Sequence, residues 1–372
     1  MKIFQGSLSD HMKIIHGTAA LAGKNALPIL ESILIERADD QLKMVTCNME
    51  AEIIADLGES KGPDASFCVN ASKVSSILGA AIGDIGIDLS GEGESKRAQI
   101  KFGKSRFNLN ALPGADFPRI RKDPKNPVKI SIPSCVLRSL LSAAETSAAD
   151  KDIRYYLNGV FLTCCHGRLT AVGTNGHMMT VSSAGLDSAA ETSSIIPVRT
   201  VNRLLALLPH DEKPVRMTIA KGTIRVQFGE VDLTGTLIEG KYPDWNGVFK
   251  DTENNQATAV LNKVELLDAI GRIAIIDKGG IRLILKGAGI ALVTAGQNDA
   301  QSGDAEEEIE ALTGGIGQPI DLGISLRYLH SAVAAMASDK VMIRAANAES
   351  SVLICDPDGK DQTKTVVMPL RI

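Results

Sequence analysis

The chain has 372 residues, 44% of them hydrophobic and 23% charged, the balance of an ordinary globular protein; with 8 Phe, 4 Tyr and 1 Trp, its cores must be mostly aliphatic. Its net charge of 40 − 44 = −4 argues against a protein that coats nucleic acid with its whole surface, although it does not constrain how charge is distributed. One hydrophobic core rarely serves a chain this long, so two or three domains are expected, and 372 ÷ 3 = 124 residues would be the share of each of three.

In chain order, Ser9 to Leu21 carries an amphipathic helix pattern. Ile29 to Leu57 alternates as hairpin strands with a turn near Ala38 to Gln41. A second helix follows over Val69 to Ala81, with Val74, Ile77 and Leu78 on its stripe, and Ile100 to Ile120 supplies closing strands. The order then restarts. Pro133 and Ser134 open a helix with Val136, Leu137, Leu140, Leu141 and Ala144 on one stripe. Tyr155 to Ala184 is a hairpin turning at His166-Gly167, Ile196 to Leu208 a helix with Val201, Leu204, Leu205 and Leu208 inward, and Val226 to Trp245 the closing strands. A third round begins with a helix capped by Asn262, its stripe Leu267, Ile270 and Ala274. It continues with a hairpin over Gly279 to Gln297 turning at Gly287 to Gly289, and a helix over Ile324 to Ala337 with Leu326, Leu329, Val333 and Met336 inward. It ends at Val366 to Ile372 (VVMPLRI).

The Phe-Gly pairs at 102–103 and 228–229 are offset by 126 residues, and the aromatic-Pro pairs Phe117-Pro118 and Tyr242-Pro243 by 125. A repeat this long is a whole domain rather than a solenoid unit. The polar clusters Arg121 to Pro127 and Asp251 to Asn255 read as linkers, giving domains 1–126, 127–254 and 255–372. Antiparallel sheets with two helices per copy make an α+β fold.

No motif calls for catalysis. Gly17 to Lys24 (GTAALAGK) has one residue too many between its glycines for a P-loop, and Asn25 follows the lysine; it reads as a helix ending with Gly23 as its cap. Neither Gly91/Gly93 nor Gly287/Gly289 opens a dinucleotide fingerprint. Cys164-Cys165-His166 reads as strand and turn, since adjacent strand cysteines face opposite ways. No cofactor and no metal are expected. The start MKIFQGSLSDHMKII has no apolar signal region, no run of 18 apolar residues occurs, and six cysteines are too few for a disulfide scaffold. A cytoplasmic protein with reduced thiols is expected, in which the sequon Asn70-Ala71-Ser72 goes unglycosylated.

RYYLNGV (Arg154 to Val160), AVGTNGHMMTV (Ala171 to Val181), LIEGKYPDW (Leu237 to Trp245) and VVMPLRI, together with LPILESILIE and FNLNALPGADFP in the first copy, resemble the bacterial sliding clamp, the β subunit of DNA polymerase III. The resemblance runs in order over essentially the whole chain. It implies a non-catalytic processivity factor in DNA replication: a head-to-tail homodimeric ring of three domains per chain around duplex DNA, helices lining the hole and sheets outside. Twelve helices at about 9 to 10 Å spacing close a circle about 36 Å across, and subtracting a helix diameter of about 10 to 12 Å leaves a hole of about 25 Å. An accessory clamp with a repair or resistance role is the alternative.

The resemblance also implies sites. Sequence-independent DNA contacts fall on Lys24, Lys73, Arg138, Lys151, Arg154, Tyr155, Tyr156, Arg199 and Arg203, with Lys13, Lys263, Arg272 and Arg327 as further basic helix positions and Asp304 to Glu310 as acidic balance on the rim. A cleft for short peptides of the polymerase α subunit, the clamp loader and repair polymerases maps to Leu157, Thr174, Gly176, His177, Met178, Met179, Pro243, Val248, Ser351, Val366, Met368, Pro369, Leu370 and Arg371. Phe107 and Leu109 are matched with Ile275 and Ile276 as the dimer contact. The chain departs from the family at Met178-Met179, at Asn246-Gly247 and in the short loop after Ile276.

Overall fold

The computed structural model describes residues 1–91, 95–120, 126–250, 252, 257–286, 288–294, 303–315, 319–359 and 362–371. The expected linkers lie outside these residues apart from Asn126, Pro127 and Thr252, as do Gly93, Gly287, the end of the third hairpin from Ala295 and the terminal Ile372. All strand pairings are antiparallel among the described residues, and seven helices accompany them: α1 (Met12–Ala19), α2 (Ala71–Gly79), α3 (Ser134–Glu145), α4 (Val198–Leu207), α5 (Trp245–Lys250), α6 (Lys263–Ile276) and α7 (Leu326–Ala335). The α+β architecture is the one expected.

The chain divides into two compact units, Met1–Leu137 with Asn202–Leu237, and Arg138–Val201 with Ile238–Ile372. Each is organised by a nine-stranded sheet that joins strands of two successive repeats. In the first unit the joint is Val231–Thr236 against Ala51–Glu59, with Leu233 opposite Ile53. In the second it is Met178–Gly185 against Thr363–Val367, with Thr180 opposite Thr365. A smaller four-stranded sheet completes each unit. One ends on the strand Ser105–Asn110, the other on Glu306–Glu310.

Local chemistry explains the elements. The hairpin turn at Asp39 and Asp40 (φ 50° and 58°) and the one at His166 and Gly167 (φ 50° and 69°) each place two successive residues in the left-handed region, the conformation that matches strand twist in a two-residue loop. Asn70 caps α2 by accepting from Lys73 N, and Asn262 caps α6 by accepting from Val264 N and Glu265 N. Ser134 sends its hydroxyl to Pro209 O.

Two helix expectations are corrected and one helix is added. The first helix ends at Ala19, not at Gly23, whose surroundings are open; the glycine that packing requires is Gly17, where a Cβ would lie 2.3 Å from Leu207 Cδ2. On α6 the buried residues are Leu266, Ala269, Ile270 and Ile273, while Leu267 and Ala274 pack only partly against the core. The short helix α5 was not read from the sequence at all. It places Trp245, Val248 and Phe249 against Tyr242, Val181 and Val366 at the outer face of the second joint.

Hydroxyls run through that joint. Ser147 Oγ, Thr180 Oγ1 and Thr365 Oγ1 form a buried chain with spacings of 2.5 and 2.8 Å, and Ser182 Oγ meets Thr363 Oγ1 at 2.9 Å.

Candidate functional site

Two turns of the second unit build one wall of a cavity. In the turn Thr174 to Met178, Asn175 Oδ1 accepts from His177 N (2.9 Å) and Met178 N (3.0 Å), and Thr174 Oγ1 donates to Met178 O at 2.8 Å. Gly176 has φ 88°, and a Cβ there would meet the Arg154 guanidinium at 3.0 Å.

The second turn spans Lys151 to Asn158. Asp152 N donates to Asn158 Oδ1 (2.8 Å), and Asn158 Nδ2 returns a bond to Asp152 O (2.9 Å). Arg154 grips the Asp152 carboxylate through Nε (3.0 Å) and Nη2 (2.8 Å) and reaches Asn175 O at 3.3 Å. These bonds hold the Asp152 carboxyl down at about 2, well below the usual carboxylate range, and raise the Arg154 guanidinium further.

The cavity holds about 270 Å³ and is lined by Arg154, Tyr156, Leu157, Thr174, Gly176, His177, Met178, Met179, Pro243, Val248, Val366 and Met368. Most of the expected peptide residues therefore converge. Ser351 stands just behind, its Oγ 3.3 Å from Met368 Sδ. Met368 N donates to His177 O at 2.8 Å, which pins the C-terminal segment to the first turn. Pro369, Leu370 and Arg371 are not among the lining residues; Leu370 N instead donates to Gly323 O at 2.9 Å. Arg154 and Tyr156, read from the sequence as DNA contacts, are on the cavity wall, a placement that sequence spacing could not show because the turn that carries them folds back beside Gly176.

The rim has an aromatic edge the sequence reading missed. The His177 ring stacks on Tyr328 of α7 at 6.2 Å and 15°, and the Arg327 guanidinium lies 5.4 Å from the centre of the Tyr328 ring. Arg327 thus supplies positive charge beside His177 of the cavity lining; of α5, Val248 lines the cavity, and Asn246 and Gly247 do not.

The other basic candidates are scattered over the helices and turns of both units. In the first unit Lys13, Lys24 and Lys73 are exposed and Arg203 is half-buried; in the second Lys151 and Arg199 are exposed and Arg138 is half-buried. Tyr155 is exposed, and the neighbouring Ile153 is 97% exposed. Two further candidates are engaged: Arg272 forms a forked pair with Glu307 (2.7 and 2.9 Å), and Lys263 Nζ donates to Met336 O at 2.5 Å.

Phe107, Leu109, Ile275 and Ile276 sit at unit surfaces. Phe107 is 36% exposed on the sheet-edge strand Ser105–Asn110, and Ile275 and Ile276, at the end of α6, are 79% and 46% exposed. Leu109 is half-buried and packs against the core of the first unit.

Among the described residues, no helix is long and apolar enough to cross a membrane. Comparison with known proteins matches three family profiles in order: DNA polymerase III beta subunit, N-terminal domain, over residues 9–121; its central domain over 131–244; and its C-terminal domain over 252–371. The beta sliding clamp of Vibrio cholerae is 30% identical over 375 residues, covering 100% of this chain and 99% of its own. That of Salmonella typhimurium is 29% identical over 360 residues, covering 95% and 94%. A crystal structure of the DNA polymerase sliding clamp from Pseudomonas aeruginosa superposes with TM-score 0.88 at 27% identity over 100% of both chains.

Proposed function

The chain belongs to the DNA polymerase III beta-subunit family, and from that premise we propose that it is the replicative sliding clamp, a non-catalytic ring that encircles duplex DNA and tethers the polymerase. The single observation that carries the reading is the full-length match to beta sliding clamps, in which all three domains occur in order. We assign the domains as 1–126, 127–254 and 255–372.

Two chains join head to tail. The strand Ser105–Asn110, which ends one four-stranded sheet, brings Arg106 and lies beside Lys101 and Lys104; Glu306–Glu310, which ends the other, is almost wholly acidic. Open sheet edges of opposite charge favour pairing between copies, and Phe107 and Leu109 with Ile275 and Ile276 supply the apolar part of the contact. The cavity beside Met368 receives an apolar side chain of a partner peptide from the polymerase α subunit, the clamp loader or a repair polymerase; its flexible Met-lined wall suits several partners. Lys24, Lys73, Arg138, Lys151, Tyr155, Arg199 and Arg203 meet the duplex and bind phosphates without reading bases, while Arg154 and Tyr156, which the resemblance also offers as DNA contacts, serve the cavity wall.

The test is topological. Loaded onto closed circular duplex, the protein should stay bound and should be released when the circle is cut once. Equal loss from circular and linear DNA would overturn the reading.

A further inference from the structure

The structure brings together three potential metal ligands that have no part in the clamp function. The strand Gly159–Cys165 pairs antiparallel with Thr192–Pro197, with Cys164 opposite Thr192, so the next pair in that register is Cys165 with Glu191. Directly opposed residues of an antiparallel ladder project from the same face. The turn that follows holds His166 at φ 50°, which carries its ring back over Cys165, Nδ1 lying 2.9 Å from Sγ. Among the described residues, this is the one place where three His, Cys, Asp or Glu ligand atoms gather, all within 4.8 Å of one another. Cys164, which the chain sequence sets beside Cys165, is buried on the other face and takes no part.

We propose that Cys165, His166 and Glu191 form a binding site for a thiophilic divalent cation of the zinc class. A sulfur, nitrogen and oxygen donor set excludes magnesium and calcium, which take oxygen ligands, and suits zinc or its spectroscopic stand-in cobalt. Charge balances: on binding, the Cys165 thiol releases its proton to water, and the thiolate and the Glu191 carboxylate together offset the two positive charges of the ion. With metal–sulfur bonds of about 2.3 Å and metal–nitrogen bonds of about 2.0 Å at a tetrahedral angle, sulfur and nitrogen would stand about 3.6 Å apart. The present 2.9 Å contact opens, and the wider separations close, by side-chain rotation of exposed groups while the ladder stays in place. A neighbouring cation is drawn aside: Arg168, opposite Cys165 on the other neighbouring strand, donates to Gln362 Oε1 at 3.2 Å. Three protein ligands leave the fourth position to water.

The site is invisible in the sequence because its third ligand is far from the first two. Cys-Cys-His has no metal spacing by itself; the strand register supplies Glu191.

The experiment uses the full-length, reduced, chelator-stripped protein. One equivalent of Co²⁺ should produce a thiolate-to-cobalt charge-transfer band, and Zn²⁺ should displace it. Cys165→Ser should abolish the band, and Glu191→Gln should weaken binding on the order of 100-fold, at least what loss of an outer partner costs a metal site. Cys135→Ser, at the remaining cysteine that is not fully buried, should leave it unchanged. All three ligands lie at the surface, so circular dichroism should match wild type in each variant. Absence of a band at one equivalent, or a band that survives Cys165→Ser, overturns the proposal. So does a Cys165 that is alkylated rapidly yet gives no cobalt signal, which would identify a reactive thiol–imidazole pair instead.

Discussion

Arg154 shows how much a single residue carries in this protein. Its fork onto Asp152 fixes the turn that forms one wall of the cavity beside Met368, and the same turn presents Lys151 and Tyr155 to solvent. The pH behaviour follows from the direction of the Asp152 shift. A carboxyl whose folded value lies below its unfolded value of about 3.9 contributes above that value and loses its contribution as pH falls towards about 2. The fork's contribution to stability is therefore complete from neutral pH down to about pH 4 and fades below it, while the carboxylate in the folded protein stays ionised until pH nears 2. A carboxyl-carbon NMR titration of Asp152 should find its midpoint near 2, and a midpoint at the ordinary carboxylate value would show the fork to be open in solution. Met368, 46% exposed on the opposite wall, is the complementary case. Met368→Ala should weaken a polymerase-derived peptide by about 1 to 2 kcal/mol, roughly 5- to 30-fold in Kd, while leaving the dimer intact on sizing. The cavity residues were legible because their motifs are contiguous. The His177–Tyr328 stack was not, because it joins a turn and a helix about 150 residues apart along the chain.

Among the elements, sequence pattern was informative wherever one face of a helix is clearly apolar. The cap at Asn262, the stripe of α7, and Val74 and Leu78 on α2 follow that rule. The α6 stripe was displaced because the helix is apolar nearly all round: Leu266, Leu267, Ala269, Ile270, Ile273, Ala274, Ile275 and Ile276 fit more than one stripe, and only packing selects among them. Gly17 in α1 gives the sharpest test at this scale. Alanine would improve helix propensity by about 1 kcal/mol, but its methyl meets Leu207, and forcing a methyl into a filled site costs about 1 to 3 kcal/mol. Gly17→Ala should therefore lower stability in denaturant titration, whereas adding Leu207→Ala should erase the penalty specific to Gly17→Ala. Simple additivity of the two changes would show that Leu207 is not what keeps this position a glycine.

Across the whole molecule, the threefold repeat could be read from the recurring order of helix, hairpin and helix, with offsets near 126 residues tying the first two copies, but the merging of successive repeats into nine-stranded sheets could not. Which edge meets which is a long-range matter that no local pattern encodes. The same logic extends to the sheet-ending strands Ser105–Asn110 and Glu306–Glu310, whose pairing in the proposed dimer no local pattern encodes. Ile275→Asp with Ile276→Asp should give monomers on analytical ultracentrifugation with unchanged circular dichroism; a dimer that persists would place the contact elsewhere.

The buried hydroxyls at the second joint bear on how faithfully that joint forms. Apolar strands can slide past one another by two residues and still bury the same kind of surface. A row of Ser147, Thr180, Thr365, Ser182 and Thr363 resists this, because a two-residue slip re-pairs only one couple, Thr180 with Thr363 or Ser182 with Thr365, and separates the other hydroxyls from their partners. The seam between repeats is therefore keyed, so that a chain made of similarly built parts favours one way of fitting them together.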